Sequence, residues 1–368
     1  MEKLRVAVLC GGQSAEHEVS LQSALNIINA LDRDRYDILV IGIDKEGRWF
    51  AYEQAEDFLE HPEDPKLISL KEGGQQISLV PGDREGPFRD LSGDVSLGKI
   101  DVVFPVLHGP YGEDGTMQGL LKILHVPFCG VGVLGSAAGM DKDVTKRLLR
   151  DAGIPIAKFM VLERGAGEVD FEEVRKTLGS PCFVKPANLG SSVGIERVGD
   201  EAAFKAAVEE AFRWDQKVLI EETLTGREIE CSVLGNEDPI ASLPGEIITD
   251  PERYTFYSYE AKYIDGKGAT LEIPAKVSEE VVQRIKDLAV RSFQALCCEG
   301  MARVDFFLLE DGRIIVNELN TIPGFTKISM YPKLWEISGI PYGELIDRLI
   351  RLALERDRRE KELKTALG

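Results

Sequence analysis

The chain has 368 residues, 43% hydrophobic and 29% charged, with a formal net charge of −19 and a pI near 4.8. That length accommodates two or three ordinary domains. No long basic stretch occurs, which argues against nucleic acid and anionic membranes as partners. An acidic protein that binds nucleotide must instead gather its lysines locally.

Residues 4–10 (L-R-V-A-V-L-C) form an apolar run ended by Gly11-Gly12 and read as a buried parallel strand. A helix follows with Ala24, Ile27, Ile28 and Leu31 on one stripe, then a strand from Asp37 to Ile43. This βαβ pattern resembles a dinucleotide fold, but G-G-Q-S-A-E-H lacks the G-x-G-x-x-G fingerprint, so a nicotinamide is disfavoured. The pattern does support a ligand at the strand-to-helix turn, where Glu16 and His17 lie. The plainer role for Glu16 is to complement the helix dipole. Residues 45–99 read as an elaborated connection with a hairpin around Gln76–Val80 and no chemistry. Residues 100–107 return to a buried strand ending in H-G-P-Y-G-E-D-G, which makes His108 and Glu113 ligand candidates. A Gly-rich loop with solvated acids explains that segment equally well. A short strand from Val126 to Val133 is expected to close a first domain near residue 130.

Gly139-Met140-Asp141-Lys142 opens a helix expected over Asp143–Ala152. Lys142 sits where a helix dipole favours an anion, a conflict that a bound phosphate would resolve. Cys182–Pro186 is a strand carrying Lys185, and Asn188–Gly194 is a small Gly/Ser loop able to present N–H donors to phosphate. It is not a P-loop, and a simple hairpin turn is the bland alternative. Lys217–Ile220 is a strand ending in Glu221, Glu222, Thr223 and Leu224, and Gly226–Val233 alternates as an antiparallel strand carrying Glu228. Acids there suit an adenine amino group and ribose hydroxyls, although solvation explains any single one. Residues 249–268 hold Tyr254, Phe256, Tyr257, Tyr259 and Tyr263 and read as a mobile lid. Ser278 caps a long amphipathic helix, and a final helix spans about Gly343–Arg356. Six cysteines without a C-x-x-C pair lie mostly in apolar runs, so buried reduced thiols in a reducing cytosol are expected. No segment is long enough to span a bilayer, and the apolar run at the N-terminus is too short for a signal h-region.

The richest stretch is Met301–Ser329. Two β-rich runs flank Asp311-Gly312, a strong hairpin signal. A two-residue turn there sets Asp305 opposite Glu318 and Arg303 opposite Asn320, all on one face. Facing carboxylates with an amide oxygen beside them invite Mg²⁺, which completes its shell from water and phosphate. The segment after them, Asn320–Gly324, exposes backbone N–H groups that suit an anion. A solvated polar face with one Arg–Asp bridge is the bland alternative; ligand-bearing strand and nest together point to a nucleoside triphosphate.

These motifs in this order (G-G-Q-S-A-E-H-E-V-S, L-H-G-P-Y-G-E-D-G, M-D-K-D-V-T-K, V-K-P-A-N-L-G-S-S-V-G, E-A-K-Y, G-M-A-R-V-D and N-E-L-N-T-I-P-G-F-T) resemble the D-alanine–D-alanine ligases, ATP-grasp enzymes of peptidoglycan synthesis. The likeness covers essentially the whole chain. It implies an α/β, three-domain ATP-grasp architecture: a Rossmann-like parallel sheet (1–130) and two α+β domains clamping ATP (131–224 and 225–368). It implies ATP and two Mg²⁺, with Mn²⁺ as a substitute, two D-alanine molecules as substrates, and a cytoplasmic homodimer. Asp305, Glu318 and Asn320 would hold metal. Lys142 and Lys185 would contact phosphates under the loop Gly190, Ser191, Ser192, Val193 and Gly194, with Lys262 reaching the γ-phosphate. Glu221, Glu222, Leu224, Glu228, Phe256 and Asn317 would complete the nucleotide site. Arg303 and the Gly324 N–H would stabilise an oxyanion, Ser329 and Met330 would meet the second amino acid, and Glu16 with His108 would hold the first. Glu16, Ser191 and Tyr263 would form a hydrogen-bonded triad. The implied chemistry activates the first D-alanine as an acyl phosphate, which the second amine attacks. E-A-K-Y favours a dipeptide over the depsipeptide of D-alanine–D-lactate ligases. That ester, or another ATP-grasp carboxylate–amine ligation, is the alternative.

Overall fold

Strand β1 (Leu4–Gly11) lies between β2 (Tyr36–Ile43) and β8 (Val102–Pro105), parallel to both. The structure, a computed structural model, describes residues 3–167, 169–190, 193–249, 269–326 and 328–364. Val6 to Cys10 are fully buried because layers cover both faces, which is why this strand is an unbroken apolar run. Helix α1 (His17–Ala30) follows β1 and buries Leu21, Ala24, Ile27 and Ile28. Residues 45–99 are more than a connection. They supply β3 (Trp49–Tyr52), the short pair β4 (Leu59–Glu60) and β5 (Ser69–Leu70), then β6 (Gln75–Leu79) and β7 (Phe88–Asp90). β3, β6 and β7 extend the sheet antiparallel, in the order β7-β6-β3-β2-β1-β8, so it is mixed rather than parallel. These strands are short and partly exposed, which hid them from periodicity. The strand expected over Val126–Val133 reduces to a single bridge between Val103 and Phe128.

Helices α2 (Thr116–Ile123), α3 (Val133–Met140) and α4 (Lys142–Asp151) lead into the second sheet. It comprises β9 (Phe159–Glu163), β10 (Cys182–Pro186), β11 (Glu196–Val198) and β12 (Lys217–Glu222), in the order β11-β10-β12-β9. Cys182, Val184, Val218 and Ile220 face a core closed by α5 (Phe171–Leu178) and α6 (Glu201–Trp214). Alternation turns Phe183, Lys185, Leu219 and Glu221 the other way, towards the cleft.

The third sheet contains β13 (Gly226–Gly235), β14 (Ile240–Ala241), β15 (Gly245–Thr249), β16 (Ala269–Glu272), β17 (Gly300–Leu309) and β18 (Ile314–Asn320). Ile229, Cys231, Val304, Phe306 and Val316 pack beneath α7 (Glu279–Ala295). Helices α8 (Met330–Ile337) and α9 (Tyr342–Lys361) then return to the beginning of the chain. Trp335, Leu349 and Ile350 share one core with Val6, Val8 and Val40. Arg356, buried in α9, donates to the carbonyls of Phe128 and Gly130, both at 2.6 Å, with its guanidinium 4.3 Å from the Phe128 ring centroid. Five cysteines are buried free thiols, as expected from the apolar runs around most of them, and Cys297 is exposed.

Candidate active site

The face of the third sheet opposite α7 carries the charges. Register places Glu230 opposite Asp305 and Asp305 opposite Glu318, a row of three acids across β13, β17 and β18. Ser232, Arg303 and Asn320 form the next row. The expected pairs of Asp305 with Glu318 and Arg303 with Asn320 are present, but the turn is not the one expected. Leu309 N–H bonds Arg313 O at 2.9 Å, closing a three-residue loop in which Gly312 takes φ +81. That shifts the strands by one residue near the turn, pairing Phe306 with Val316. A bulge between Asp305 and Phe306 restores the register, with Asn317 as the extra residue. Both Asn317 and Glu318 consequently line the cleft.

Arg303 bonds both carboxylate oxygens of Asp305 at 2.7 Å and lies 3.0 Å from Glu230. Burial works against its charge, but Asp305 and Glu230 hold its pKa well above the ordinary value. Asn320 donates to Asp305 at 2.9 Å. Among the described residues no group of three His, Cys, Asp or Glu forms a self-contained metal cage. Asp305, Glu318 and the Asn320 carbonyl are a partial set of hard oxygen donors, which fits Mg²⁺ because that ion leaves positions for water and phosphate.

The second sheet forms the opposite wall. The Lys185 ammonium pairs with one Glu221 oxygen and Lys146 with the other. Burial raises the carboxyl pKa, but the two ammonium groups overcome it and pull Glu221 down to about 2. Lys142, the first residue of α4, donates to Leu189 O, while Asp141 caps the helix at Asp143 and Val144 N–H. Burial lowers the Lys142 pKa, and the nearby Glu318 charge opposes that. Leu224 gives the cleft an apolar patch with Ala157 and Phe307, and Glu228 lines it too. Glu222 lies at the rim, its carboxylate accepting the Lys158 N–H at 2.7 Å.

A second pocket gathers around the turn after β18. His108 Nδ1 lies 3.0 Å from Ile322 O, and Glu113 accepts the N–H groups of Ile322 at 3.0 Å and Gly109 at 2.9 Å. Burial and the Glu16 charge raise the Glu113 pKa to about 8. Burial lowers that of His108, with Glu16 opposing. Glu16 is buried at the start of α1 with no capping bond from its side chain. A Cβ at Gly190 would lie 3.6 Å from Glu16 Oε2, so the Gly/Ser loop begins beside that carboxylate. At Gly109, with φ +75, a Cβ would come within 2.9 Å of Ser14 Oγ and 3.1 Å of Glu16 Oε2, so only glycine fits. Ser329 Oγ accepts the Thr326 N–H at 3.0 Å and lies beside Gly324, whereas Met330 is buried against Gly245. Val193 N–H bonds Gly190 O at 3.2 Å. Ser191, Ser192, Phe256, Lys262 and Tyr263, with the rest of the lid segment 250–268, lie outside the described residues.

The family model described as D-ala D-ala ligase N-terminus matches residues 5–131, and that for the C-terminus matches residues 148–351. The chain belongs to the D-alanine–D-alanine ligase family. A D-alanine–D-alanine ligase of Oceanobacillus iheyensis is 52% identical over 365 residues, covering 99% of each chain. The solved D-alanine–D-alanine ligase of Coxiella burnetii is 43% identical with a TM-score of 0.86, covering 98% of this chain and 97% of its own. VanG D-Ala:D-Ser ligase of Enterococcus faecalis is 36% identical with a TM-score of 0.84, covering 96% and 100%. Membership of the D-alanine–D-alanine ligase family brings the ATP-grasp architecture expected from the motifs, with the N-terminal sheet mixed as described.

Three residues at the site escaped the sequence reading. Lys146 lies one helical turn after Lys142, and its signal was a second lysine on the buried stripe of α4. Glu230 follows Glu228 at strand spacing and so shares its face. Ser23 lies 3.4 Å from His108 Nε2 and accepts the Phe325 N–H at 3.3 Å. Its signal was a pair of serines, Ser20 and Ser23, both fully buried on the apolar face of α1.

Proposed function

We propose that these residues carry out the ATP-dependent joining of two D-alanines, the activity of the family to which the chain belongs. The alignment of Asp305 with Glu318 and of Arg303 with Asn320 on one face of the sheet is the observation that carries the assignment. Asp305, Glu318 and Asn320 would hold two Mg²⁺, or Mn²⁺ in their place, which would supply positive charge against the triphosphate. Lys142 and Lys185 orient the phosphates, and Glu221, Glu222, Leu224, Glu228 and Asn317 seat the nucleoside. Glu16 and His108 hold the first D-alanine with its carboxylate towards Arg303.

A carboxylate is a poor electrophile, so the first D-alanine is activated as an acyl phosphate by positioning and charge neutralisation. When the second amine attacks, Arg303 and the Gly324 N–H face the oxygen that gains charge. Such a donor is worth about 3–4 kcal/mol. Ser329 and Met330 lie beside the second amino acid. Ser191, Lys262, Tyr263 and Phe256 belong to the loop and lid in this reading, which shield the acyl phosphate from water. The attacking amine must be neutral. Dipeptide formation should therefore rise with pH through the alkaline range, and a flat profile would contradict the scheme.

We extend the reading to three domains (1–130, 131–224 and 225–368) and to a cytoplasmic homodimer. The three sheets support the first. Exposed Ile123 and Leu134 on neighbouring α2 and α3 support an interface between copies. Among the described residues no helix is long and apolar enough to cross a membrane. The deciding experiment measures phosphate release from ATP with D-alanine, L-alanine or D-lactate. D-alanine alone should support turnover by itself; preference for D-lactate as second substrate would move the chain to the ester-forming alternative.

A further inference from the structure

Lys146 is a charged group for which the assigned nucleotide roles leave no task. Its side chain is 1% exposed, and it does not line the cleft, although Lys142, Lys185 and Glu221 do. It stands behind the cleft wall, 6.0 Å from the Phe159 ring centroid and paired with one oxygen of Glu221. Lys185 holds the other oxygen. One buried carboxylate is thus shared by two ammonium groups from different elements, α4 and β10.

Lys185 has two calls on its charge, because a phosphate in the cleft competes with Glu221 for it. If Lys185 were the carboxylate's only partner, its departure would leave a buried charge uncompensated, which is strongly unfavourable. Glu221 would then either retain Lys185 or take up a proton and lose acceptor strength. A second lysine on the far oxygen, unable to reach the cleft, removes that conflict.

We propose that Lys146 is a positioning residue that keeps Glu221 charge-balanced, so that Lys185 is free to turn to the nucleotide phosphates while Glu221 stays ionised as an acceptor for the base. This rests on the nucleotide site proposed above. The same pairing explains why M-D-K-D-V-T-K carries two lysines one turn apart, one on the cleft side and one behind it.

The test is Mg-ATP titration by calorimetry, with steady-state kinetics, on Lys146→Met, Glu221→Gln and the double variant. Lys146→Met should weaken ATP binding roughly tenfold or more while the KM for D-alanine stays near wild type. A general loss of structure would move both. In the Glu221→Gln background there is no charge to balance, so adding Lys146→Met should change ATP affinity by less than about twofold. That comparison still decides the question if the single lysine variant does not fold. Wild-type affinity in a folded Lys146→Met protein, or an equally large effect of the substitution in the Glu221→Gln background, overturns the inference. Lys185→Met separates it from the site assignment: unchanged ATP binding in that variant would remove the nucleotide reading itself.

Discussion

The acidic row on β13, β17 and β18 and the pocket around Glu16 meet at the turn 320–324, yet they are built by different means. The row stands on adjacent strands, and the spacing of Asp305 and Glu318 within it follows from alternation in two neighbouring segments, corrected by one bulge. The pocket is assembled from the start of α1, the loop after β8 and the turn after β18, so Glu113 and Ile322 touch across 209 residues of chain. Charge on the row is offset in part by Arg303, while Asn320 donates a hydrogen bond to Asp305. In the pocket it is managed by burial, which leaves Glu113 protonated around neutral pH.

The largest expected effect is on the row. Asp305→Asn should lower D-alanine-dependent phosphate release by on the order of a thousandfold or more, with the unfolding temperature nearly unchanged because Arg303 keeps Glu230 as a partner. A folded variant with near-normal turnover would break the assignment of the row.

A smaller effect, on stability rather than rate, belongs to the pocket. The Glu113 pKa lies near 8 instead of the ordinary 4.5, so between those values the folded state holds a proton that the unfolded state has released. Its contribution to stability is therefore complete below about 4.5 and is lost as pH rises to about 8. Glu113→Gln should lower stability below that window, since the amide nitrogen would face one of the two N–H groups that separate carboxyl oxygens accept, but should flatten the decline in unfolding temperature across it. An unchanged slope would show that another group governs it.

The smallest effect should follow Ser23→Ala, which removes the hydroxyl between His108 and the Phe325 N–H. A rise of roughly fivefold in the KM for D-alanine, with little change in that for ATP, is expected for one lost neutral hydrogen bond. An equal change in both would mean that the pocket and the row are not separable.

The acidic face was legible because alternation on a strand is a local rule, and Asp305, Glu318, Arg303 and Asn320 lie within eighteen residues of one another. Even there the register was reached by an incomplete route. A three-residue loop displaced the pairing and the bulge at Asn317 put it back, and neither deviation leaves a mark in an apolar pattern. The strands within 45–99 were hidden for a related reason, since short edge strands with half-exposed faces carry no periodic run. By itself the amino-acid order determined which residue types alternate onto one face and which glycines must adopt turns. Tertiary structure decided that Lys146 and Lys185 share one carboxylate, that Glu113 grips Ile322 and that α9 completes the first core. Those contacts join segments that only a shared core brings within hydrogen-bond reach, and burial then sets their charges, which no neighbouring residue in the chain encodes.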